Sequence, residues 1–469
     1  MKWILVTLLY CSCYTAAAQN IDNRLSEAIK NLDSDAQFKH AVLSLYVVDS
    51  KTGKVIFDKN AQVGMAPASC QKVITSATAF EILGKDYRYK TALAMEGTVK
   101  NAVLDGNIYI VGYGDPTLGS WRWSSTGEKN ILNSFIAAIQ KKGIKQVKGN
   151  VFGYDRKWES NNTPDGWIWE DIGNYYGAGA SSLNWRENQY DIILKAGENI
   201  GDKASIKEIV PHLENVGLYS EVITAKKGSG DNAYIYLPPY SFSGFVRGTI
   251  PLGENNFTIS GAMPNAGEQL TLTLVNELKA KGIDGVLFAG SYNGIEVDKK
   301  DLPLLATNFF TITSPSLDSI NYWFLKKSIN LYGEAFVKAM AFEKKGYGTT
   351  DTGIAIIKNF WKDKGIEPSA INMLDGSGLS PANRITTNAL VTVMQYAKNQ
   401  PWFASFYNAL PEMNGIKMKD GYISNVRSYT GYIKSKDGKE YTFSFIVNNF
   451  DGSPGTVREK MWKVLDILK

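Results

Sequence analysis

The sequence predicts an α+β protein into which a long β-rich segment is inserted. Three observations point there. Residues up to about 87 hold a helical apolar pattern and a strand hairpin. From about 88 to 298 the texture changes to short strands and frequent glycines. Beyond residue 300 helical patterns return, and the chain closes on three strands and a helix.

At 469 residues, 44% hydrophobic and 21% charged, the chain is a globular polypeptide too long for one compact core, and two or three domains are expected. Lys2, the apolar run from Trp3 to Tyr10, and Thr15-Ala16-Ala17-Ala18-Gln19 read as a secretory signal over residues 1–18, cleaved near Ala18. The mature chain is thus expected outside the cytoplasm. A lipid anchor through Cys11 or Cys13 is the alternative, against which Tyr10 is bulky. No later apolar run approaches the ~18 residues of a membrane span, so no transmembrane anchor is expected in the mature chain.

Cleavage leaves Cys70 as the single cysteine, and no disulfide within the mature chain. With only His40 and His212 available, Cys70 lacks an activating partner and reads as a buried neighbour of Ser69. The same shortage argues against a Cys/His zinc site. A formal net charge of +5, reduced by one with the loss of Lys2, is spread without a basic stripe, which gives nucleic-acid binding no support.

In chain order, residues 21–32 suggest a helix, and Ala41 to Val48 a strand. Asp49-Ser50-Lys51-Thr52-Gly53 is a turn into Lys54–Phe57. Pro67 then opens a helical apolar pattern, Val73, Ile74, Ala77, Phe80, Ile82 and Leu83, which runs out at Gly84. None of the glycine-rich turns in the insertion is followed by the Lys-Ser or Lys-Thr of a phosphate loop. Its aromatics, including Trp121, Trp123, Trp158, Trp167, Trp169, Tyr175 and Tyr176, suit core packing better than sugar stacking. After residue 300, Leu317, Ile320, Trp323, Phe324 and Leu325 form an apolar helix face leading to Lys327-Ser328-Ile329-Asn330. The tight turn Asp375-Gly376-Ser377-Gly378-Leu379-Ser380 precedes a helix over Asn383–Tyr396. Lys419–Ile423, Ser428–Lys434 and Tyr441–Val447 read as strands, with a last helix from about Gly455 to Leu468.

The stretch Pro67-Ala68-Ser69-Cys70-Gln71-Lys72 places a hydroxyl and an amine on one helix face. A serine hydroxyl becomes a nucleophile when a base takes its proton, and an amine kept neutral can be that base. Ser-x-x-Lys alone is weak, since a chain this long contains it roughly twice by chance, and in isolation an ordinary helix start is the better account of it than a catalytic serine. Its weight comes from two partners later in the chain, Ser328-x-Asn330 and Lys419-Asp420-Gly421.

That order resembles the motif set of penicillin-binding proteins and serine β-lactamases, Ser-x-x-Lys, Ser-x-Asn and Lys-Thr/Ser-Gly. Over essentially its whole mature length the chain resembles the D-alanyl-D-alanine carboxypeptidase/endopeptidase family of penicillin-binding protein 4 type, peptidase family S13. The supporting segments are Gly114-Asp115-Pro116-Thr117-Leu118, Tyr176-Gly177-Ala178 with Leu183-Asn184, Glu334 after Asn330, Asp375 to Ser380, and Val426 to Tyr432. The resemblance implies a transpeptidase-like domain, an antiparallel sheet flanked by helices, over 19–87 and 299–469. The 88–298 region would be inserted into it as two subdomains. A β-lactamase fits the triplets, but the insertion speaks against it.

By the same resemblance, Ser69 attacks the carbonyl of a terminal D-Ala-D-Ala or a D-Ala cross-link in peptidoglycan stem peptides and forms an acyl-enzyme. β-Lactams would be covalent inhibitors. Lys72 is the base, Ser328 relays a proton to the leaving amine, and Asn330 holds Lys72 and a substrate amide. Lys419 binds carboxylate and favours neutral Lys72, while Gly421 and Tyr422 complete the substrate-binding strand. The oxyanion hole is the backbone N–H of Ser69 and of Tyr422. No metal or organic cofactor is implied, and the location implied is the periplasm. The literal Lys51-Thr52-Gly53 precedes the nucleophile and sits in a hairpin turn, so the role falls to Lys419.

One departure stands out. Asp420 occupies the place of the family's Thr or Ser. A carboxylate accepts where the hydroxyl donates, and at ~4 Å and an effective dielectric near 20 its repulsion of a substrate carboxylate is about 4 kcal/mol. The expectation is that Asp420 either points away or weakens carboxylate and penicillin binding, favouring cross-links whose leaving side is amidated or cationic. A catalytically weakened relative that binds the wall or a partner is the alternative function.

Overall fold

The computed structural model describes residues 21–292 and 306–469. The signal segment, its cleavage point, Cys11, Cys13 and the boundary near residue 298 lie outside them. The described residues form two compact units. One holds the residues up to Glu81 with Asn321–Ser328 and Ile354–Lys469, the other Ile82–Ile320 with Ile329–Gly353.

In the first unit, Val42–Asp49 (β1) and Val55–Lys59 (β2) make the expected hairpin. Its turn is built by Asp49, whose Oδ1 accepts from Lys51 N at 3.0 Å, Thr52 N at 2.7 Å and Thr52 Oγ1 at 2.8 Å. Lys51-Thr52-Gly53 is therefore turn chemistry, with Gly53 at φ +72°. Glu412–Met413 (β3), Ile416–Ile423 (β4), Val426–Lys434 (β5) and Glu440–Asn448 (β6) complete a six-stranded sheet of order β3-β4-β5-β6-β1-β2. Every neighbouring pair is antiparallel.

Helices cover both faces of this sheet, so β1 and β6 are buried almost end to end rather than alternating. One face packs on the helix over 21–33 (α1), through Leu25 and Ile29, and on Pro454–Leu465, through Val457, Met461 and Leu465. Each such fully buried side chain contributes roughly 1.5–3 kcal/mol relative to exposure. On the other face Ser44 Oγ and Thr387 Oγ1 share a hydrogen bond of 2.7 Å, and Tyr432 donates to Met394 O at 2.7 Å.

Two helix boundaries differ from expectation. The helix expected over Asn383–Tyr396 runs over Thr387–Lys398, because Thr386 caps it by accepting from Ala389 N, while Arg384–Ile385 pairs with Ile371–Asn372. The helix expected from Pro67 opens as a 3-10 turn, Ala68–Gln71, and becomes α-helical only over Lys72–Ile82 (α2). From Lys72 to Phe80 every residue of α2 is buried, its polar positions included.

The second unit holds a five-stranded sheet of order Asp284–Ser291, Gln146–Tyr154, Val103–Gly112, Lys90–Lys100, Thr307–Thr313, and two three-stranded sheets. It also contains the helices Glu128–Lys141, Ala266–Ala280 and Asn330–Lys345, of which the first two interrupt the β-rich texture read from the sequence. Ile131, Phe135 and Ile139 recur at helical spacing and are buried in the same core as Leu270 and Leu274. Of the aromatics, Trp158 and Trp167 are buried, whereas Trp121, Trp169 and Tyr175 are exposed.

Candidate active site

Ser69 lies in the 3-10 turn ahead of α2, half-buried. Ala68 before it is held at φ +45°, a conformation an alanine adopts only under constraint. The helical offset of three residues brings Lys72 Nζ to 2.9 Å from Ser69 Oγ. Lys72 is fully buried, its Nζ donating to Ser377 O at 2.6 Å and lying 5.8 Å from the Phe324 ring centroid. The amine is thus held away from bulk solvent, against the Ser69 hydroxyl and the Ser377 carbonyl.

Strand β4 runs beside that turn. Gly421 is required by the contact, since a Cβ there would stand 2.8 Å from both Pro67 O and Ser69 N and would strike Ser428 Oγ. Ser428 Oγ in turn donates to Pro67 O at 2.6 Å. Cys70 is buried and donates to Lys419 O at 3.1 Å. Burial pushes its thiol up to about 11, against the opposing effects of Ser428 and the Lys419 charge. It is an inert packing residue, as its lack of a histidine suggested.

Lys419 is fully buried, and its Nζ donates to Asp420 O at 2.7 Å and to Asp420 Oδ1 at 2.9 Å. Burial alone would raise the Asp420 carboxyl. The Lys419 charge and hydrogen bond, helped by Arg427, instead hold it below the usual carboxylate range. Tyr422 is 50% exposed, opposite Arg427 in the β4–β5 register, with the guanidinium 5.1 Å from its ring.

The first unit thus brings together Ser69, Lys72, Lys419, Asp420, Gly421 and Tyr422. Ser328 belongs to the same unit and takes a left-handed φ of +57° just after the helix Leu317–Lys326. Asn330 belongs to the second unit, where it opens the helix Asn330–Lys345 and donates from Nδ2 to Tyr176 O at 2.8 Å. Sequence reasoning missed the turn around Lys72. Asp375 to Ser377 were seen as a glycine-rich bend, but nothing in linear order ties them to a helix some 300 residues earlier. Among the described residues no group of three or more His, Cys, Asp or Glu could hold a metal ion, and no helix is long and apolar enough to cross a membrane.

Comparison with known proteins gives this geometry its family. The D-alanyl-D-alanine carboxypeptidase of Actinomadura sp. (strain R39) is 26% identical over 95% of this chain and 85% of its own length. The D-alanyl-D-alanine carboxypeptidase DacB of Haemophilus influenzae is 24% identical over 87% and 85%. The crystal structure of penicillin binding protein 4 from Haemophilus influenzae superposes with a TM-score of 0.77 at 20% identity, covering 92% of this chain and 94% of that one, so the penicillin-binding-protein fold expected from the sequence is the fold observed. The pattern of the D-Ala-D-Ala carboxypeptidase 3 (S13) family matches residues 25–415, which include Ser69, Lys72, Ser328 and Asn330 and stop short of Lys419. The chain belongs to that family of serine-type D-Ala-D-Ala carboxypeptidases.

Proposed function

We propose that this protein is an exported, periplasmic serine DD-peptidase. It acts on peptidoglycan stem peptides as a D-Ala-D-Ala carboxypeptidase, as a DD-endopeptidase of D-Ala cross-links, or as both, and it is acylated by penicillin. The observation that carries the reading is the 2.9 Å contact between Ser69 Oγ and the buried amine of Lys72. Neutral Lys72 takes the hydroxyl proton as Oγ bonds to the scissile carbonyl carbon, and the oxyanion develops against the amides of Ser69 and Tyr422. The C–N bond then breaks, Ser328 passes a proton to the departing amine, and water hydrolyses the acyl-enzyme. Asn330 orients Lys72 and a substrate amide.

The ion pair of Lys419 with Asp420 bears on substrate choice. A lysine already neutralised by its neighbour attracts a terminal carboxylate less and favours neutral Lys72 less. This supports a preference for cross-links whose leaving side is amidated or cationic, with reduced penicillin affinity.

Mass spectrometry of muropeptides tests the function. Incubation with the protein is expected to remove terminal D-Ala or split cross-linked dimers, and Ser69→Ala is expected to do neither. Equal product with both proteins, or no product with a labelled wild-type enzyme, would reject it.

A further inference from the structure

Three consecutive carbonyls of the turn Asp375-Gly376-Ser377 are each taken by a different side chain of the nucleophile's turn and helix. Asp375 O accepts from Gln71 Nε2 at 2.6 Å, Gly376 O from Thr75 Oγ1 at 2.7 Å, and Ser377 O from Lys72 Nζ at 2.6 Å. The shape of the turn is set by the Asp375 carboxylate, which is fully buried. It accepts from Gly378 N at 2.8 Å, Ser380 N at 2.7 Å, Asn383 Nδ2 at 3.0 Å and Gln71 Nε2 at 2.8 Å.

A neutral amine has one lone pair, and it deprotonates Ser69 only when that pair points at the hydroxyl. Its N–H bonds must therefore be directed elsewhere. A carbonyl at 2.6 Å from Nζ fixes one of them and so limits rotation about the Cε–Nζ bond. We propose that Asp375 is a positioning residue for Lys72. By folding the turn it places the Ser377 carbonyl, and that carbonyl aims the Lys72 lone pair at Ser69 Oγ. Gln71 and Thr75 clamp the two neighbouring carbonyls to the same helix, so the turn and the base move as one body. The inference rests on the reading of Ser69 as nucleophile and Lys72 as base.

The test splits penicillin acylation under single-turnover conditions into a saturation constant and an acylation step, for Asp375→Asn, Thr75→Val and Thr75→Ser. A displacement of about 1 Å at the base is expected to slow the acylation step of Asp375→Asn by about a hundredfold, with the saturation constant little changed. Thr75→Val, which removes one clamp and keeps the volume, is expected to lose about tenfold, and Thr75→Ser, which restores the hydroxyl, to stay within about twofold of wild type. A crystal structure of Asp375→Asn, or of Thr75→Val if the first variant does not fold, reads the Nζ–Oγ separation without turnover; it is expected to open beyond about 3.5 Å. Wild-type acylation with an unchanged separation overturns the proposal, and so does a loss confined to the saturation constant. Wild-type protein that takes no penicillin refutes the functional reading instead, and the crystallographic separation then decides the positioning role by itself.

Discussion

Lys72 in the first unit and Lys338 in the second are both fully buried, and both donate to backbone carbonyls. They differ in the side chain they also meet. Lys338 Nζ reaches Asn161 O at 2.7 Å, Ala180 O at 3.1 Å and the Glu159 carboxylate at 3.2 Å. Burial pulls its ammonium form down, and Glu159 pulls it back. Lys72 instead meets the Ser69 hydroxyl, a group with a proton to give. The carboxylate makes Lys338 an anchor, whereas the base role proposed for Lys72 depends on its contact with the hydroxyl.

Substitution at the two positions should separate those roles. Lys72→Met is expected to cut penicillin acylation by about 10³-fold and to cost about 1–2 kcal/mol of stability, as the Ser377 carbonyl loses this donor. Lys338→Met should acylate normally but unfold about 3 kcal/mol more easily, because two carbonyls lose this donor and Glu159, left with Thr350 N, loses its cation. Fluorescent-penicillin labelling and urea denaturation of both variants check this. Equal behaviour of the pair would end the distinction.

Asp115 sharpens the comparison from the acidic side. It is buried, with Thr117 N at 2.8 Å and Thr117 Oγ1 at 2.6 Å, and burial raises its carboxyl to about 6, the Thr117 hydrogen bonds opposing. Because the folded value lies above the unfolded 3.8, its contribution is fully present below pH 3.8 and is lost as pH rises through about 6. Across that window it should cost the wild type about 3 kcal/mol. Asp115→Asn keeps the acceptor and is expected to lack that slope, which denaturation at pH 4, 5, 6 and 7 would read.

The smallest expected effect concerns Asp420. Releasing Lys419 by Asp420→Thr should raise penicillin acylation about tenfold and shift the product ratio toward carboxypeptidation. No change in either quantity would show that the Lys419–Asp420 pair lies outside substrate choice.

Much of the first unit was legible because its signals are local. The hairpin turn at Asp49, the consecutive strand runs after Lys419, and the offset of three that joins Ser69 to Lys72 are all short-range. The delayed start of the helix at Thr387 and the 3-10 turn at Ser69 were not, since each depends on a cap or a distant backbone. The Asp420 substitution was visible, but its bond to Lys419 was not, because adjacent residues on a strand ordinarily point to opposite faces. Least legible was the Asp375 turn, whose partners Gln71, Lys72 and Thr75 are distant in sequence.

Two glycines flank Ser69. Gly378, at φ +82°, lies against the carbonyl of Ala68, and Gly421 lies against Pro67 O and Ser69 N. At both positions the serine's turn meets main chain that a side chain would displace. Main-chain dimensions are the same whatever the neighbouring residues are. A side chain at either position would push the main chain of the Ser69 turn itself, so these two sites tolerate no residue larger than glycine without moving the serine.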